Sequence, residues 1–489
     1  MQLSPDDRRF FAAVAEIIFS NPFDDARAEV RALIPDAPGT GVGRKHPFAA
    51  LLPPVEARLS ALAADGIRVV HDVASRDRDL FSHALLFRAY QRSAEHFDRL
   101  IIEQLAAGDE PAAAPFAQAL LDELSACGFA RDDAGRYVAL FYQIRRAYYF
   151  IADSLLGDSP AMRRLRHALW NNVFTSDVRT YVNHLWNRME DFSTLVLGET
   201  GTGKTAAAAA IGRSGLIPYD ERRGRFAASF TSTFVAANLS QYPESLIESE
   251  LFGHRKGAFT GAIDNHRGLF ERLSNYGALF LDEIGEVSVP IQIKLLNVLE
   301  QRRFSPVGSH EPVRFDGRVI AATNRSLSQL RESNAFRDDF LYRLCSDVIE
   351  VPPLRKRIEE HPAELEQLVS LIIARATGEA SPPLTDRVVT SLEASLPDAY
   401  PWPGNVRELE QAVRRVLLNG RYDGATAGND EDAEDALAQA LREGRVTATE
   451  LTSRYCRMLY AQLGSYEQVA RRIDLDRRTV KKYIGRESD

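Results

Sequence analysis

Cysteine is scarce in this chain of 489 residues, which contains only three. Cys127, Cys345 and Cys456 lie far apart, form no CxxC pair and have no nearby histidine cluster, which argues against a zinc site and a disulfide framework. Long apolar runs are also missing: no segment approaches about 18 uninterrupted apolar residues, and the first residues lack a basic leader followed by a long apolar stretch. We therefore predict a cytoplasmic protein with reduced thiols, neither exported nor membrane-spanning.

A basic excess is absent too, because 60 Lys and Arg are outnumbered by 68 Asp and Glu, for a net charge of −8. Any contact with nucleic acid must then be local. Hydrophobic residues make up 45% of the chain and charged residues 26%, a composition typical of globular proteins. At this length we expect several domains, since single cores rarely grow beyond a few hundred residues.

The N-terminal part, residues 1–156, is predicted to be a mostly α domain, because its apolar residues recur every three or four positions. The spacing over 137–155 fits either a short coiled-coil seam or a packed core helix. Its aromatic residues are interpreted as core rather than as a ligand site, and His71, His83 and His96 are too widely spread to indicate a metal. The sequence assigns this domain no signal.

Residues 157–420 change to short β-rich runs that alternate with helices, which predicts an α/β domain with a parallel, doubly wound sheet. The predicted strands are 194–197, 234–237, 278–281, 319–322 and 348–351. Residues 421–445 are predicted to be a linker, because six acidic and no basic residues fall between Asp423 and Asp435. Residues 446–489 form the last predicted domain. The fold class is therefore multidomain.

A glycine-rich loop follows the first predicted strand of the α/β domain. It matches the pattern GxxxxGK[ST] in the strand–loop–helix context that the pattern requires. Its residues are Gly198, Glu199, Thr200, Gly201, Thr202, Gly203, Lys204 and Thr205. The glycines let backbone N–H groups approach phosphates at a helix N-terminus. Lys204 is predicted to neutralise the β/γ-phosphates, and the Thr205 hydroxyl to ligate Mg²⁺.

Two carboxylates end the apolar strand predicted at 278–281. Asp282 and Glu283 lie where parallel α/β sheets gather their ligands. Asp282 suits Mg²⁺ binding, and Glu283 suits polarising an attacking water. Such a pair is a weak signal alone, but together with the glycine-rich loop it predicts hydrolysis of a nucleoside triphosphate.

The run NLSQYPESLIESELFGHRKGAFTGA, residues 238–262, resembles the central domain of the bacterial enhancer-binding proteins, the AAA+ ATPases that activate RNA polymerase carrying sigma-54. The resemblance covers roughly residues 157–418. It implies ATP and Mg²⁺ as cofactors and a homo-oligomeric ring, for which the family suggests a hexamer. It also implies two partners, sigma-54 RNA polymerase and upstream activator DNA, and a regulatory or sensory role for the N-terminal domain, residues 1–156.

The resemblance further implies that the GAFTGA loop touches the sigma factor, with Phe259 and Thr260 at its tip. The loop residues are Gly257, Ala258, Phe259, Thr260, Gly261 and Ala262. Without the resemblance, a Phe in a Gly-rich loop is more often buried in the core.

Further roles follow from the resemblance alone. Asn238 is implied to hold Glu283 inactive until the γ-phosphate is sensed, and Asn324 is implied to be a sensor at the end of another strand. Arg407, in YPWPGNVREL, resembles the second sensor on the helical lid.

Arg337 and Arg343 resemble the arginine fingers that reach a neighbouring subunit's nucleotide. The chain departs from the family at Thr205, where an acidic residue is usual. The segment between Lys204 and Asn238 is also longer than the family normally shows, and we interpret it as an inserted surface loop of unassigned role.

The final domain is predicted to be an all-α helix-turn-helix, with a turn near 473–475 and Asp476 as the N-cap of the second helix. From Arg471 to Arg486 seven basic residues accompany two acidic ones, which indicates a DNA-binding face. The predicted DNA-binding residues are Arg477, Arg478, Thr479, Lys481 and Lys482. The predicted packing residues are Val469, Ile473, Leu475, Val480 and Ile484. The alternative is a basic helix packed on the ATPase, whereas resemblance to Fis-like domains favours DNA.

Taken together, the patterns and the resemblance lead to the hypothesis of a sigma-54-dependent transcriptional activator driven by ATP hydrolysis. Two alternatives remain open: a DNA-binding AAA+ regulator whose nucleotide-controlled assembly acts without sigma-54, and a remodeller of another protein.

Overall fold

The computed structural model describes residues 1–24, 48–332, 336–397, 399–422, 447–463 and 465–484. They form two compact units, Met1–Glu393 with Pro397–Gly420, and Ala394–Leu396 with Arg421–Asp489. The predicted linker 421–445 lies outside the described residues except for its first two. Within the described ranges, no helix is both long and apolar enough to cross a bilayer.

The N-terminal part is helical, as predicted. Its helices are α1 (Pro5–Phe19), α2 (Leu52–Ala64), α3 (Arg78–Ala107), α4 (Pro115–Ala126), α5 (Arg131–Ser154) and α6 (Pro160–Phe174). Local chemistry sets their ends. The Ser4 side chain caps α1 by accepting a hydrogen bond of 3.1 Å from the Asp7 N–H, with Pro5 in the first turn. Ser159 and Pro160 begin α6 in the same way.

Helix α5 is a packed core helix, so the coiled-coil alternative is wrong. Phe141, Tyr148 and Ile151 are all buried, and they belong to one apolar cluster with residues of α3, α4 and α6. A coiled-coil seam would face one partner helix, whereas α5 is enclosed by several.

The sheet has five parallel strands in the order β4-β5-β8-β1-β9. These strands are β1 (Thr194–Leu197), β4 (Phe234–Asn238), β5 (Ala278–Asp282), β8 (Arg318–Thr323) and β9 (Asp347–Glu350). Two short antiparallel ribbons accompany it, β2 (Tyr219–Asp220) with β3 (Arg225–Phe226), and β6 (Arg303–Phe304) with β7 (Val313–Arg314). The predicted strands and the parallel sheet are confirmed.

Alternate strand residues enter two different cores, as the two-residue period of a strand requires. Val196 and Phe280 face the layer that holds the N-terminal helices and α7 (Lys204–Gly212). Leu195 and Leu279 face the opposite layer. That layer contains α8 (Glu244–Phe252), α9 (Val289–Gln301), α10 (Leu327–Glu332) and α11 (Asp338–Leu344). Helices therefore cover both faces, which confirms the doubly wound arrangement.

One apolar core joins the N-terminal helices to the sheet. It contains Ile151 of α5, Ile211 of α7 and Ile320 of β8. The predicted boundary at 156/157 therefore lies inside continuous packing, and as a domain limit it stays a prediction.

The segment between α7 and β4 is not the surface loop that the sequence suggested. Its Phe226 and Phe230 are buried, and the Phe226 ring lies 4.1 Å from that of Tyr142 on α5. The Gly224 carbonyl accepts a hydrogen bond of 2.9 Å from the Ala114 N–H. The segment is therefore part of the core that joins the N-terminal helices to the sheet. Because residues 220–225 are mostly charged, the sequence pattern indicated an exposed loop and not the burial of these two rings.

The helical lid and the C-terminal unit complete the described structure. The lid helices are α12 (Leu354–Glu360), α13 (Ala363–Thr377), α14 (Pro382–Ser395) and α15 (Asn405–Asn419). The C-terminal unit contains α16 (Ala448–Leu463), α17 (Tyr466–Ile473) and α18 (Arg477–Ile484).

Replacing Ile151 tests the shared core. Ile151→Ala removes three buried carbons from a fully enclosed site, so we expect it to lower the free energy of unfolding by about 2–5 kcal/mol. Chemical denaturation followed by circular dichroism measures this loss. Ile102→Ala on α3 is the matched control, because Ile102 is 61% exposed, and its expected effect is within about 0.5 kcal/mol. Equal effects for the two variants would contradict the shared core.

Candidate nucleotide site and partner-binding surfaces

The glycine-rich loop connects buried β1 to the N-terminus of α7. Gly203, with φ 105°, precedes Lys204, the first residue of α7. The Thr202 hydroxyl donates a hydrogen bond of 2.8 Å to the Glu199 carbonyl, which closes the loop. Thr205 is exposed in the first turn of α7. The loop thus leads from the carboxyl end of β1 to the N-terminus of α7, the arrangement that binds phosphate.

Lys204 is buried beneath this loop. Its Nζ donates hydrogen bonds of 2.9 Å to the Gly198 carbonyl and 3.2 Å to the Glu199 carbonyl. Burial lowers the pKa of the Lys204 ammonium, while the charges of Glu283 and Asp282 raise it. The ammonium therefore lies within the electrostatic field of both predicted carboxylates.

The polar strand ends meet at one edge of the sheet. Strand β8 lies between β1 and β5, so exposed Asn324, directly after β8, lies between the glycine-rich loop and Asp282. Glu283 has a left-handed backbone, φ 56°, which turns the chain sharply after β5. Asn238 pairs in register with Asp282, and its side-chain oxygen accepts from the Ser240 N–H at 3.0 Å. Its described hydrogen bonds go to Ser240, not to Glu283.

The lid is hydrogen-bonded to the glycine-rich loop through Asn405, which the sequence analysis did not single out. Buried Asn405 donates from Nδ2 to the Thr200 carbonyl at 3.0 Å and accepts at Oδ1 from the Leu354 N–H at 2.8 Å. The Val406 N–H donates to the Gly201 carbonyl at 3.1 Å. A Cβ at Gly201 would lie 2.2 Å from a lid carbonyl, so only glycine permits this approach.

Arg355 makes a second connection from the lid. Its guanidinium donates from Nη1 to Oε2 of Glu199 at 2.8 Å, and Nη2 pairs with Oε1. The hydrogen bond from Arg355 lowers the pKa of the Glu199 carboxyl, and Asn405 acts in the same direction. The available signal for both missed residues was their position in polar runs, PPLRKR and PGNVREL, where lid helices begin.

The three predicted arginines occupy different surroundings. Exposed Arg407 begins α15 beside the glycine-rich loop, and its charge acts to lower the pKa of the Lys204 ammonium. Arg337 forms a bidentate pair with Asp339, with Nη2 and Oδ2 2.6 Å apart. Arg343 donates from Nη2 to the Leu299 carbonyl at 2.9 Å. Reach into a neighbouring subunit stays a prediction for Arg337 and Arg343.

The GAFTGA loop is a tight turn on a short bridge. The Gly257 N–H donates to the Ala262 carbonyl at 2.9 Å, and His254 forms bridges with His266 and with Val307. Phe259 is 40% exposed, and its ring meets the edge of His254 at 4.9 Å. Burial of Phe259 in the core, the alternative drawn from composition, is wrong.

The loop therefore presents apolar surface on a supported backbone. Ile263, directly after it, is 74% exposed. The Arg255 N–H donates to the Val307 carbonyl at 3.0 Å, which fixes the base of the loop to the segment between β6 and β7. Exposed aromatic and aliphatic side chains on such a loop are typical of protein contacts.

The C-terminal unit has the helix bounds that the spacing predicts. Val469 and Val480 are fully buried, with Ile473 and Leu475 packed against them, whereas the side chain of Ile484 lies outside the described residues. Asp476 caps α18 by accepting from the Arg478 N–H at 2.8 Å, and the Thr479 hydroxyl lowers the pKa of its carboxyl.

The basic side chains of α18 are exposed. Arg478, Lys481 and Lys482 are open to solvent, and Thr479 is half-buried. Arg477 is also exposed but pairs with Glu467 of α17, with Nε and Oε1 2.9 Å apart. Helix α18 thus has an apolar side toward its own unit and a cationic side that a phosphate backbone could neutralise.

Comparison with known proteins identifies a family and relatives that this chain resembles. A family model described as the sigma-54 interaction domain matches residues 174–350. The transcriptional regulatory protein ZraR of Klebsiella oxytoca is 34% identical over 350 residues, covering 68% of this chain and 68% of that protein.

Two further relatives match this chain over shorter stretches. The Nif-specific regulatory protein of Azotobacter vinelandii is 39% identical over 278 residues, 56% of this chain and 46% of that protein. The DNA-binding transcriptional regulator NtrC of Azospirillum brasilense is 39% identical over 264 residues, 54% of this chain and 47% of that protein. The chain thus spans a little under half the length of these two relatives.

Asn405 provides a test of the connection between lid and loop. Asn405→Ala removes hydrogen bonds from a buried position, so we expect about a tenfold or larger rise in the Kd of a fluorescent ATP analogue. Asn405→Gly should bind as weakly, because it relieves the positive φ of 52° without restoring the amide. Asn419→Ala, at the exposed end of the same helix, is the matched control and should bind normally. Full affinity in Asn405→Gly would show that the amide is dispensable.

Proposed function

The chain belongs to the sigma-54 interaction domain family, and from this membership we propose that it is a sigma-54-dependent transcriptional activator. Ring-forming protomers bound to upstream DNA hydrolyse ATP, and hydrolysis moves the GAFTGA loops against sigma-54 so that a closed promoter complex opens. The observation that carries the proposal is the meeting of the glycine-rich loop, Asp282 and Glu283 at one sheet edge, in the same unit as an exposed GAFTGA turn.

The nucleotide chemistry follows from the positions of the side chains. Backbone N–H groups of residues 198–205 bind the phosphates, and Lys204 turns from its loop carbonyls toward the β/γ-phosphates. Glu283 orients and polarises the attacking water. Asn324, after β8, and Arg407, on α15, contact the nucleotide and sense its state.

The residues present fit Mg²⁺, which favours oxygen ligands and keeps several waters. Exposed Thr205 at the start of α7 and half-buried Asp282 at the end of β5 would hold it with phosphate oxygens. The ion supplies positive charge against the phosphate oxygens when bound. The hydroxyl of Thr205 replaces the acidic residue that is usual in the family, and it is a suitable ligand.

Assembly into a ring would bring arginines of one subunit to the nucleotide of its neighbour. Arg337 and Arg343 would stabilise charge on the transferred phosphoryl in a neighbouring subunit, in a ring that we propose to be a hexamer. For Arg343 this requires exchange of the Leu299 carbonyl for phosphate, and for Arg337 exchange of the Asp339 carboxylate. Asn238 would exchange Ser240 for Glu283 in the same transition.

DNA binding is proposed for the cationic side of α18. Arg478, Lys481 and Lys482 are free to neutralise phosphates or reach base edges, with Thr479 beside them. Arg477 must first leave Glu467. The N-terminal helices are proposed to regulate the ATPase.

Glu283→Gln tests the hydrolytic role. The amide keeps the size of the side chain but cannot polarise water, so we expect ATP binding to persist while turnover falls about 100-fold or more. Glu286→Gln is the control, since Glu286 lies in the same turn but pairs with Arg325 at 2.6 Å. Both quantities are measured on the assembled protein. Normal turnover in Glu283→Gln would remove Glu283 from the mechanism.

Thr260→Ala tests the sigma-54 contact. Because Thr260 lies at the tip of the GAFTGA loop, we expect the variant to hydrolyse ATP but to open no promoter in a purified system with sigma-54 polymerase. Thr260→Ser, which keeps the hydroxyl, serves as the matched variant. Promoter opening with the housekeeping sigma factor alone would instead support the alternative of an activity without sigma-54.

A further inference from the structure

A large cavity lies among the N-terminal helices, away from the nucleotide site. Its volume is about 840 Å³, and its walls come from α1, α3, α5, α6 and residues 178–183. Apolar side chains line most of it. The principal ones are Ile18, Leu86, Phe87, Leu140, Phe141 and Ile144. The size and lining suit a small organic molecule.

Two buried polar atoms at this cavity have no described hydrogen-bond partner. They are Nδ1 of His83 and Nε1 of Trp170, and both residues line the cavity, as does Tyr90, whose hydroxyl interacts with Arg145. Buried polar groups are normally paired, because an unpaired one costs about 1–3 kcal/mol. The indole N–H can only donate, and because arginine also only donates, the proton of the Tyr90 hydroxyl is still available to a bound molecule. A bound molecule that carries a hydrogen-bond acceptor would therefore pair these buried atoms.

The charges at the cavity favour an uncharged occupant. Asp79 and Asp133 are exposed on its rim, and Arg179 is paired with Glu16, with Nη2 and Oε1 2.7 Å apart. Burial lowers the pKa of the His83 imidazole, so this ring is neutral at pH 7. No unpaired charge of the described lining is placed to neutralise an ion deep in the cavity.

We infer that this cavity binds a small, uncharged, mostly apolar molecule that carries a hydrogen-bond acceptor such as a carbonyl oxygen, and that its occupancy is transmitted to the ATPase site through α5. The first half stands independently of the proposed function, whereas the second half rests on it. The sequence interpretation of these aromatics as core is therefore incomplete, since Phe141 serves both core and cavity.

Helix α5 connects the cavity to the phosphate-binding helix. One side of α5 presents Leu140, Phe141 and Ile144 to the cavity. From another side, fully buried Arg146 donates to the carbonyls of Arg213 and Gly215, each at 2.6 Å. These carbonyls follow the C-terminus of α7, where a positive charge is favourable.

A neighbouring contact reinforces this connection. Gln143 Nε2 donates to the Ser214 carbonyl at 2.9 Å, and Gln143 Oε1 accepts from the Tyr181 hydroxyl at 2.8 Å. Burial lowers the pKa of the Arg146 guanidinium to about 10, so it stays protonated at neutral pH. Because α5 is a continuous helix, a displacement at the cavity moves the groups that fix the end of α7.

Benzophenone is a suitable probe, because it is uncharged, apolar, carries one carbonyl acceptor and attaches covalently to nearby C–H bonds under ultraviolet light. We expect saturable labelling of the full chain at cavity residues, located by mass spectrometry of peptides. Leu86→Trp fills the cavity and should abolish this labelling. Leu105→Trp, at a 40% exposed position on the same helix, is the matched control and should leave it unchanged.

Tyr90→Phe removes the hydroxyl from the cavity wall, together with its interaction with Arg145. We expect about threefold to tenfold weaker benzophenone binding, because the bound carbonyl loses one donor. Tyr276→Phe, at a partly exposed position outside the cavity, should bind as the parent does. Labelling that is unsaturable, maps elsewhere, or is unaffected by both Leu86→Trp and Tyr90→Phe would overturn the site.

ATP turnover with and without benzophenone tests the transmission. We expect occupancy to change turnover, and Arg146→Met to lose this response while still being labelled in the cavity. If saturating the parent protein with benzophenone leaves ATP turnover unchanged, the transmission through α5 is refuted, but the cavity binding site is not. If neither the unliganded nor the saturated protein hydrolyses ATP, this result would instead count against the proposed ATPase activity. It would not count against the cavity site, because labelling does not require ATP hydrolysis.

Discussion

Helix α7, which begins the proposed phosphate-binding site, is held at both ends by hydrogen bonds to other parts of the unit. At its N-terminus the glycine-rich loop is hydrogen-bonded to the lid through Asn405 and Val406. At its C-terminus the carbonyls of residues 213–215 accept from Arg146 and Gln143 of α5. A nucleotide bound at α7 therefore meets two other parts of the chain through direct hydrogen bonds rather than through a flexible connection.

Apolar packing adds to these hydrogen bonds, because the N-terminal helices and the sheet share one core. The helices bury the face of the sheet that carries Val196 and Phe280, and the segment between α7 and β4 adds Phe226 and Phe230 to the same packing. Removing the N-terminal helices would expose this face to water, at a cost proportional to its apolar area. Point substitutions in α5 consequently report on regulation more cleanly than truncation does.

Sequence patterns predicted the parts of the structure whose signals are local. The strands, the glycine-rich loop, the carboxylates after β5 and the bounds of α17 and α18 were found because each has its own period, glycine spacing or cap. Asn405, Arg355 and Arg146 were missed because their partners lie far away in sequence, and the polar runs around Asn405 and Arg355 do not identify those partners. The seam interpreted in α5 failed for the same reason: apolar spacing shows that a face is buried, but not how many helices bury it.

Hydrogen–deuterium exchange with a non-hydrolysable ATP analogue and Mg²⁺ tests most directly whether α7 links the glycine-rich loop, the lid and α5. We expect slower exchange in the loop at 198–205, in the lid at 403–407, and in residues 143–147 together with 212–215. Slower exchange confined to 198–205, with the lid and α5 unchanged, would contradict this expectation.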